Sequence, residues 1–384
     1  MSRIKGFSDR VVLLTIDRQS SSLFPSRMRL GEYELTGPVL VTGATGYVAG
    51  WIVRRLLEEG CTVHAAVRDP GNREKCGPLE EMAKCLPGKL RFFKADLLEE
   101  GSYATAMAGC EVVLHTASPF LMRFEDPWRE LVEPALEGTR NVLNEASRTD
   151  TVKRVVVTSS CAAIYGDNAD IGKVERRTFT EADWNTTSSL DHKPYSYAKT
   201  LAEKEAWKLE QGQDRWTLVA LNPSLVLGPG IQPITRSGSF ALMRDLGNGT
   251  LSMGVPVYPF GAVDVREVAE AHLKTGLDAS VERGRYILSG HDTDLSELAG
   301  ILRAEFGDRF KLPRRILPKW LVWLVGPFVD PSLTRAVIGR NVGIRARFEN
   351  RRSREILGIR YRPLKESVVE MFREMDSAGL LKGD

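Results

Sequence analysis

The chain lacks the features that mark metal proteins, disulfide scaffolds and membrane spans. Its five cysteines, Cys61, Cys76, Cys85, Cys110 and Cys161, are odd in number and form no C-x-x-C pair. They read as free thiols in a reducing compartment. The five histidines show no ligand spacing, so no metal is expected. No apolar run reaches the roughly 20 residues of a membrane span. The nearest candidate, residues 320–329, is short and holds Gly326 and Pro327. Charge of one sign is also missing: the formal net charge of +3 points to neither nucleic acid nor an anionic membrane. There is no internal repeat and no low-complexity tract. What remains is an ordinary globular composition, 42% hydrophobic and 27% charged, with length for one large domain or two smaller ones.

The most informative stretch is residues 38–70. Val39, Leu40 and Val41 form a short apolar run, and Gly43, Gly46 and Gly50 punctuate a tight turn after it. Trp51, Ile52, Val53, Leu56 and Leu57 recur at helical spacing, and Gly60 stops that helix. Val63, Ala65 and Val67 alternate as a second strand, which ends on Arg68. This is one βαβ unit, whose first turn brings backbone N–H groups and a helix N-terminus against a pyrophosphate. In that context a glycine-rich turn is a strong dinucleotide signal. A guanidinium at Arg68 matches a phosphate bidentately, whereas NAD-preferring folds present an acid to the ribose. Asp69 is the rival for that acid, but its place before Pro70 reads as a turn.

Further strands are expected at 90–95, 112–115, 154–158, 216–221 and 285–288. Helices are expected near 79–85, 103–107, 131–146, 195–211 and 265–277, with a mostly helical, charged tail from Ser296. This alternation predicts an α/β fold: a doubly wound parallel Rossmann sheet with a smaller, mainly C-terminal lobe for substrate. The boundaries read as an N-terminal extension over 1–37, a dinucleotide domain over 38–227 and the lobe over 228–384, with 262–290 returning to the core. The extension reads as poorly ordered. A transit peptide is its alternative, and Met28 is a candidate natural start. Residues 166–194 form a long polar loop bordering a substrate pocket. Ligands of such sheets bind at the carboxyl ends of the strands, so Thr116, Ser118 and Ser160 line one crevice.

Tyr195 and Lys199 are one helical turn apart and share a face. An ammonium beside a phenol favours the phenolate, so Lys199 is expected to lower the Tyr195 pKa and make it an acid/base. Tyr197 is the rival acid but has no lysine four residues on. His115, Trp184 and Trp207 read as structural, and Arg351, Arg352 and Arg354 as a solvated face.

Taken together, T-G-A-T-G-Y-V-A-G-W, A-V-R-D-P, F-K-A-D-L, T-A-S-P, V-T-S-S, Y-S-Y-A-K and L-N-P-S-L-V-L-G-P resemble the extended short-chain dehydrogenases/reductases of the NAD-dependent epimerase/dehydratase superfamily. The resemblance is nearest to the dihydroflavonol reductase, cinnamoyl-CoA reductase and aldehyde reductase group. Ala49 stands where that family usually has its third glycine. By this resemblance Ser160, Tyr195 and Lys199 are catalytic, with Ser159 the rival serine. Thr42, Gly43, Thr45, Gly46, Tyr47 and Val48 form the cofactor turn. Arg68 resembles the ligand of a 2′-phosphate and Lys75 a second basic position, so NADPH/NADP is expected. Asp96 and Leu97 would flank the adenine, Thr116, Ala117 and Ser118 the ribose and nicotinamide side, and Pro223 the nicotinamide.

The resemblance implies an NADPH-dependent carbonyl reductase for an aldehyde or ketone, aromatic or otherwise apolar; the chain is expected to be cytoplasmic and a monomer or homodimer. Two departures keep the substrate open. Lys193-Pro194-Tyr195 replaces the N-W-x-C-Y stretch of cinnamoyl-CoA reductases, and Tyr165 stands where plant dihydroflavonol reductases have Asn. The alternatives are a nucleotide-sugar epimerase or dehydratase, a hydroxysteroid dehydrogenase, and a non-catalytic NADP-sensing protein.

Overall fold

The computed structural model describes residues 35–118, 124–232 and 237–381. Most of the expected N-terminal extension therefore lies outside the described residues. Its last residues do not: the backbone N–H groups of Thr36 and Gly37 donate to Glu111 Oε1 at 3.1 and 2.6 Å.

In chain order the strands are β1 (Val39–Thr42), β2 (Thr62–Val67), β3 (Lys89–Lys94), β4 (Val112–His115), β5 (Arg154–Thr158), β6 (Thr217–Pro223), β7 (Leu225–Leu227), β8 (Val255–Pro256), β9 (Pro259–Asp264), β10 (Gly284–Leu288), β11 (His291–Asp294) and β12 (Ile316–Leu317). Seven of them form one parallel sheet in the order β10-β6-β5-β4-β1-β2-β3. β1 lies between β4 and β2, with Val41 beside Leu114 and Ala65. The connections run in opposite directions on its two sides, so a crevice opens at the carboxyl ends of β1 and β4. Every residue of β1 is buried, as an apolar strand covered on both faces must be.

The helices are α1 (Tyr47–Glu58), α2 (Arg73–Lys84), α3 (Ala104–Met107), α4 (Glu133–Arg148), α5 (Pro194–Gln211), α6 (Gly238–Gly247), α7 (Val265–Leu277), α8 (Leu295–Phe306), α9 (Lys319–Val329), α10 (Arg335–Asn341), α11 (Arg351–Glu355) and α12 (Leu364–Ser377). One face of the sheet buries Ile52, Leu56 and Leu57 of α1 with Val268 and Leu273 of α7. The other buries Val142 and Leu143 of α4 with Ala206 and Trp216. Each such large apolar side chain contributes about 1.5–3 kcal/mol, so the sheet is held from both sides.

Several elements differ from expectation. α2 starts six residues early, because Asn72 caps it by accepting from Lys75 N at 3.1 Å. This places Lys75 in its first turn, near the end of β2. The helix expected at 131–146 begins with a wide turn at Trp128–Val132 and continues to Arg148. The Gly- and Pro-rich region after Leu225 contains β7 and β9, which with β11 form a second, mixed sheet. Their backbone pairing carries no clear period in so short a run. That sheet floors the second lobe, whose core joins Phe240 and Met243 of α6, Leu298 and Leu302 of α8, and Met371 and Phe372 of α12. Arg352 is no solvated charge: its guanidinium lies 4.5 Å from the Tyr286 ring centroid.

The two lobes are sewn together at the glycine turn. The Tyr47 hydroxyl donates to Gly228 O at 2.5 Å, and Trp51 Nε1 donates to Pro229 O at 2.7 Å. Gly228 has φ +112°, and a Cβ there would stand 2.8 Å from Asp264 Oδ2.

Gly88 gives a direct test of the sheet's packing. A Cβ at this position would lie 2.6 Å from Cys61 O and 2.7 Å from Leu57 Cα. Gly88→Ala is expected to cost about 1–3 kcal/mol by forcing α1 and β3 apart. Urea unfolding checks this, and a variant as stable as the parent would refute the close approach.

Candidate active site

Thr42 closes β1 and is fully buried. Its hydroxyl accepts from the N–H groups of Thr116 (3.2 Å) and Ala117 (3.1 Å), leaving its proton for His115 Nδ1 at 2.9 Å. His115 is therefore a neutral acceptor, and burial together with the Lys199 charge brings its pKa down to about 3. The Thr42 hydroxyl thereby staples β1 to the turn after β4. The Thr116 hydroxyl is likewise spent on Thr42 O. Gly43 follows at φ +62°, where a Cβ would lie 3.1 Å from Ala117 Cα. No side chain caps the start of α1. Gly46 N closes the turn by donating to Gly43 O at 2.8 Å, so the other N–H groups of this stretch, at the start of α1, are left to meet an anion. Tyr47 offers only its backbone there, since its hydroxyl is committed to Gly228.

At the end of β2 a cavity of about 310 Å³ is lined by Thr45, Val67, Arg68, Asn72, Lys75 and Cys76, together with Asp69. Arg68 and Lys75 are exposed. Asp69 uses Oδ1 to accept from Gly71 N at 2.9 Å, so it builds the turn. The cavity thus presents two cations beside a carboxylate already engaged, chemistry that fits a phosphate on the adenosine ribose. Asp96 Oδ1 accepts from Leu98 N at 2.9 Å. The Leu97 side chain packs on α4, where a Cβ on Gly138 would lie 2.4 Å from its Cγ.

The two serines after β5 point differently. Ser159 is buried, and its hydroxyl donates to Glu203. Ser160 is half-exposed; its Oγ accepts from Ala162 N at 3.1 Å and lies 3.5 Å from Pro223 O. The register thus engages Ser159 inside and leaves Ser160 on the accessible side. α5 packs beside this turn, and Lys199 Nζ lies 3.4 Å from Thr158 O at the end of β5. A small cavity of about 20 Å³ borders Lys199, lined in part by His115, Ser118, Thr139, Thr158, Ser159 and Glu203.

The expected direction for Tyr195 is corrected. Burial pushes the phenol up to about 12. Burial also brings Lys199 down to about 8, against the opposing pull of Glu203. Desolvation penalises each charged form more than the neighbour relieves it.

Sequence reasoning missed two groups that hold this arrangement. The first is Glu203, fully buried four residues beyond Lys199. Its carboxylate accepts from Arg285 Nε at 2.5 Å and Asn222 Nδ2 at 2.7 Å, besides Ser159. Arg285 in turn donates to Asp183 O at 2.6 Å and stacks 3.8 Å from the Trp184 ring. An acid on the inward face of a helix, and a lone cation opening an apolar strand, were the available signals. The second is Asp167, which lies in the expected long loop. His192 Nε2 (2.7 Å), Lys193 Nζ (3.2 Å) and Asn341 Nδ2 (2.7 Å) converge on its carboxylate. Burial alone would raise its pKa, but Asn341 and the Lys193 charge hold the group below the usual carboxylate value. Lys193 caps α5 at φ +53°, one of two non-glycine residues with positive φ among those described.

The glycine turn at a topological switch point, the cationic cavity after β2 and the Tyr195–Lys199 helix beside β5 define a dinucleotide-binding Rossmann protein of the extended short-chain dehydrogenase/reductase class. The sequence profile described as the NAD dependent epimerase/dehydratase family matches residues 39–282, and the chain belongs to that family. It is 41% identical over 284 residues to a cinnamoyl-CoA reductase of Medicago truncatula, covering 72% of this chain and 83% of that one. It is 32% identical to a dihydroflavonol 4-reductase of Gerbera hybrida, covering 73% and 75%. Among solved structures it resembles yeast methylglyoxal/isovaleraldehyde reductase Gre2 complexed with NADPH. The TM-score is 0.71 at 27% identity, covering 89% of this chain and 99% of that one.

Removing the carboxylate alone, as in Glu203→Leu, leaves Arg285 buried and unpaired and is expected to cost about 3–5 kcal/mol. Glu203→Leu combined with Arg285→Leu should recover a large part of that loss. Denaturant midpoints of the two single variants and the double variant check the coupling; simple additivity would refute it.

Proposed function

We propose that this protein is an NADPH-dependent carbonyl reductase for aldehydes or ketones with an apolar or aromatic body. The observation that carries the reading is the Tyr195–Lys199 pair, partly buried on the helix that packs against the turn after β5, where Lys199 Nζ lies 3.4 Å from Thr158 O. The names of the relatives and the NADPH complex of the yeast reductase support the same reading.

The backbone of Thr45, Tyr47 and Val48 would hold the pyrophosphate. Arg68 and Lys75 would hold the 2′-phosphate, with Asp96 at the adenine. Thr116, Ala117, Ser118 and Pro223 would border the nicotinamide side. Bound NADPH supplies the hydride. Ser160 donates a hydrogen bond to the substrate carbonyl and orients it. Tyr195, a phenol at every physiological pH because of its burial, gives its proton to the carbonyl oxygen as negative charge develops there. The charged Lys199 stabilises the phenolate left behind. Tyr165 packs against Phe179 and Phe348, with ring centroids 5.2 and 5.1 Å away. That aromatic cluster packs as core behind the Ser160 turn through Cys161.

Tyr195→Phe is expected to lower kcat by about 10²–10⁴-fold while NADPH still binds, read by NADPH oxidation beside fluorescence titration. Unchanged turnover would overturn the mechanism. Lys199 keeps its charge below about pH 8 and loses it above, so kcat/KM for reduction should fall as pH rises through about 8. A profile that stays level to pH 10 would remove Lys199 from this role. Arg68→Ala should raise the KM for NADPH by about 10–100-fold, the worth of a charge-assisted contact of about 1.5–3 kcal/mol, and leave NADH nearly unaffected. An equal loss with both cofactors would refute the 2′-phosphate assignment.

A further inference from the structure

α9 turns its small side inward and its large apolar side outward. Val322 and Gly326 face the body of the protein, where a Cβ on Gly326 would stand 2.9 Å from Ile338 Cδ1. Trp320, Trp323, Leu324 and Phe328 lie at helical spacing on one outward face. Trp320 is 68% exposed and Phe328 81%. Just before α9 in the chain, Ile316 of β12 is also 60% exposed. Single exposed apolar residues are ordinary, but a contiguous aromatic patch marks an interaction surface.

The charge around it is equally uneven. Residues 311–345 hold seven lysines and arginines, all exposed, against one acid, Asp330. That excess is larger than the +3 of the whole chain. Near neutrality overall therefore conceals a basic stretch of chain on either side of an apolar helix. Arg314 pairs with Asp308 and Arg340 with Asp167, while Arg315 and Arg335 make no ion pair among the described residues. Arg335 instead lies 4.8 Å from the Trp323 ring centroid.

We propose that α9 seats this protein on the surface of an anionic lipid bilayer. The indole and phenyl groups enter the interfacial layer, and the flanking cations meet the headgroup phosphates. With 11 residues α9 is about 16 Å long, too short to cross a hydrocarbon core of about 30 Å, and among the described residues no helix is long and apolar enough to do so. It lies along the surface. A second copy of the chain fits the patch poorly, because a two-fold pairing would press the same basic stretch against itself. Residues 1–34 fit no better, since they too carry more basic than acidic residues.

The seat adjoins the catalytic helix. α10 follows α9, and its Asn341 reaches Asp167 and accepts from Lys193 Nζ at 3.0 Å, two residues before Tyr195. The surface-bound face is thus tied directly to the entrance of α5.

The test is co-sedimentation of the full chain with phosphatidylcholine vesicles, with and without phosphatidylserine. At low salt the anionic vesicles should bind at least about tenfold more tightly, since each cation near the surface contributes about 1 kcal/mol, and added salt should weaken binding. Trp320→Ser with Phe328→Ser should abolish binding, and Arg315→Glu with Arg335→Glu should remove the preference for phosphatidylserine. Both double variants should keep the parental melting temperature and the parental NADPH oxidation rate with a water-soluble aldehyde. Binding that ignores lipid charge, or that survives Trp320→Ser with Phe328→Ser, would overturn the proposal. So would a parental dimer in sedimentation velocity that this variant converts to monomer, because the patch would then join two copies.

Discussion

The carboxylate of Glu203 is the point on which the placement of α5 against the sheet depends. It is fully buried, and an isolated carboxylate there would be prohibitively desolvated. It persists because Arg285 of β10, Asn222 of β6, Ser159 after β5 and Trp207 of its own helix all donate to it. The first three of these donors come from β10, β6 and the end of β5, which are neighbours in one sheet. A single charge on α5 thereby sets the helix against β5, β6 and β10 together. A purely apolar interface would stabilise as well, but it would tolerate sliding by a fraction of a turn. Hydrogen-bond directions do not. Tyr195, Lys199 and Glu203 lie on successive turns of one face, so registering Glu203 registers the other two.

The other end of α5 is held by a different device. Lys193 takes a left-handed conformation that costs a β-carbon-bearing residue about 1–2 kcal/mol. Its ammonium offsets this by bonding to Gly166 O at 2.6 Å and to Asn341 and Asp167. Pro194 then opens the helix with its φ already set. Tyr195 therefore begins at a defined point, clamped from before by the Asp167 cluster and from behind by Glu203. The two clusters draw on separate parts of the chain, one on residues 340–341 and the other on residues 203–285. Both the second lobe and the main sheet contribute to the placement of one tyrosine.

How much of this was legible in the sequence follows from the range of each interaction. β1, α1 and β2 announce themselves because strand and helix periods and glycine positions are local properties. The proposed set Ser160, Tyr195 and Lys199 rests on short motifs, which are local in the same way. The choice between Ser159 and Ser160 was not legible, because it depends on Glu203 being opposite one and not the other. β7, β9 and β11 were missed because each is short and its partners lie far along the chain. The staple from the Thr42 hydroxyl to Thr116 and Ala117 was not legible, because its partners lie far along the chain. The basic stretch on either side of α9 was hidden by averaging: a net charge summed over 384 residues says nothing of where the charges sit.

The reversal at Tyr195 has the same origin. Helical spacing alone suggests an ammonium stabilising a phenolate, and so a tyrosine of lowered pKa. Burial acts on both groups at once, and it acts against charge. Tyr195 rises to about 12 while Lys199 falls to about 8. Under the proposed mechanism, in which Tyr195 would deliver its proton only as charge appears on a substrate oxygen, this is the more useful state. The phenol stays protonated between turnovers, and the lysine remains cationic at neutral pH, available to the phenolate when it forms. The attraction between them is then strongest after proton transfer, in the same poorly solvated surroundings that keep the resting phenol intact. A site that lowered the tyrosine pKa in advance would weaken the driving force for the proton it is meant to give.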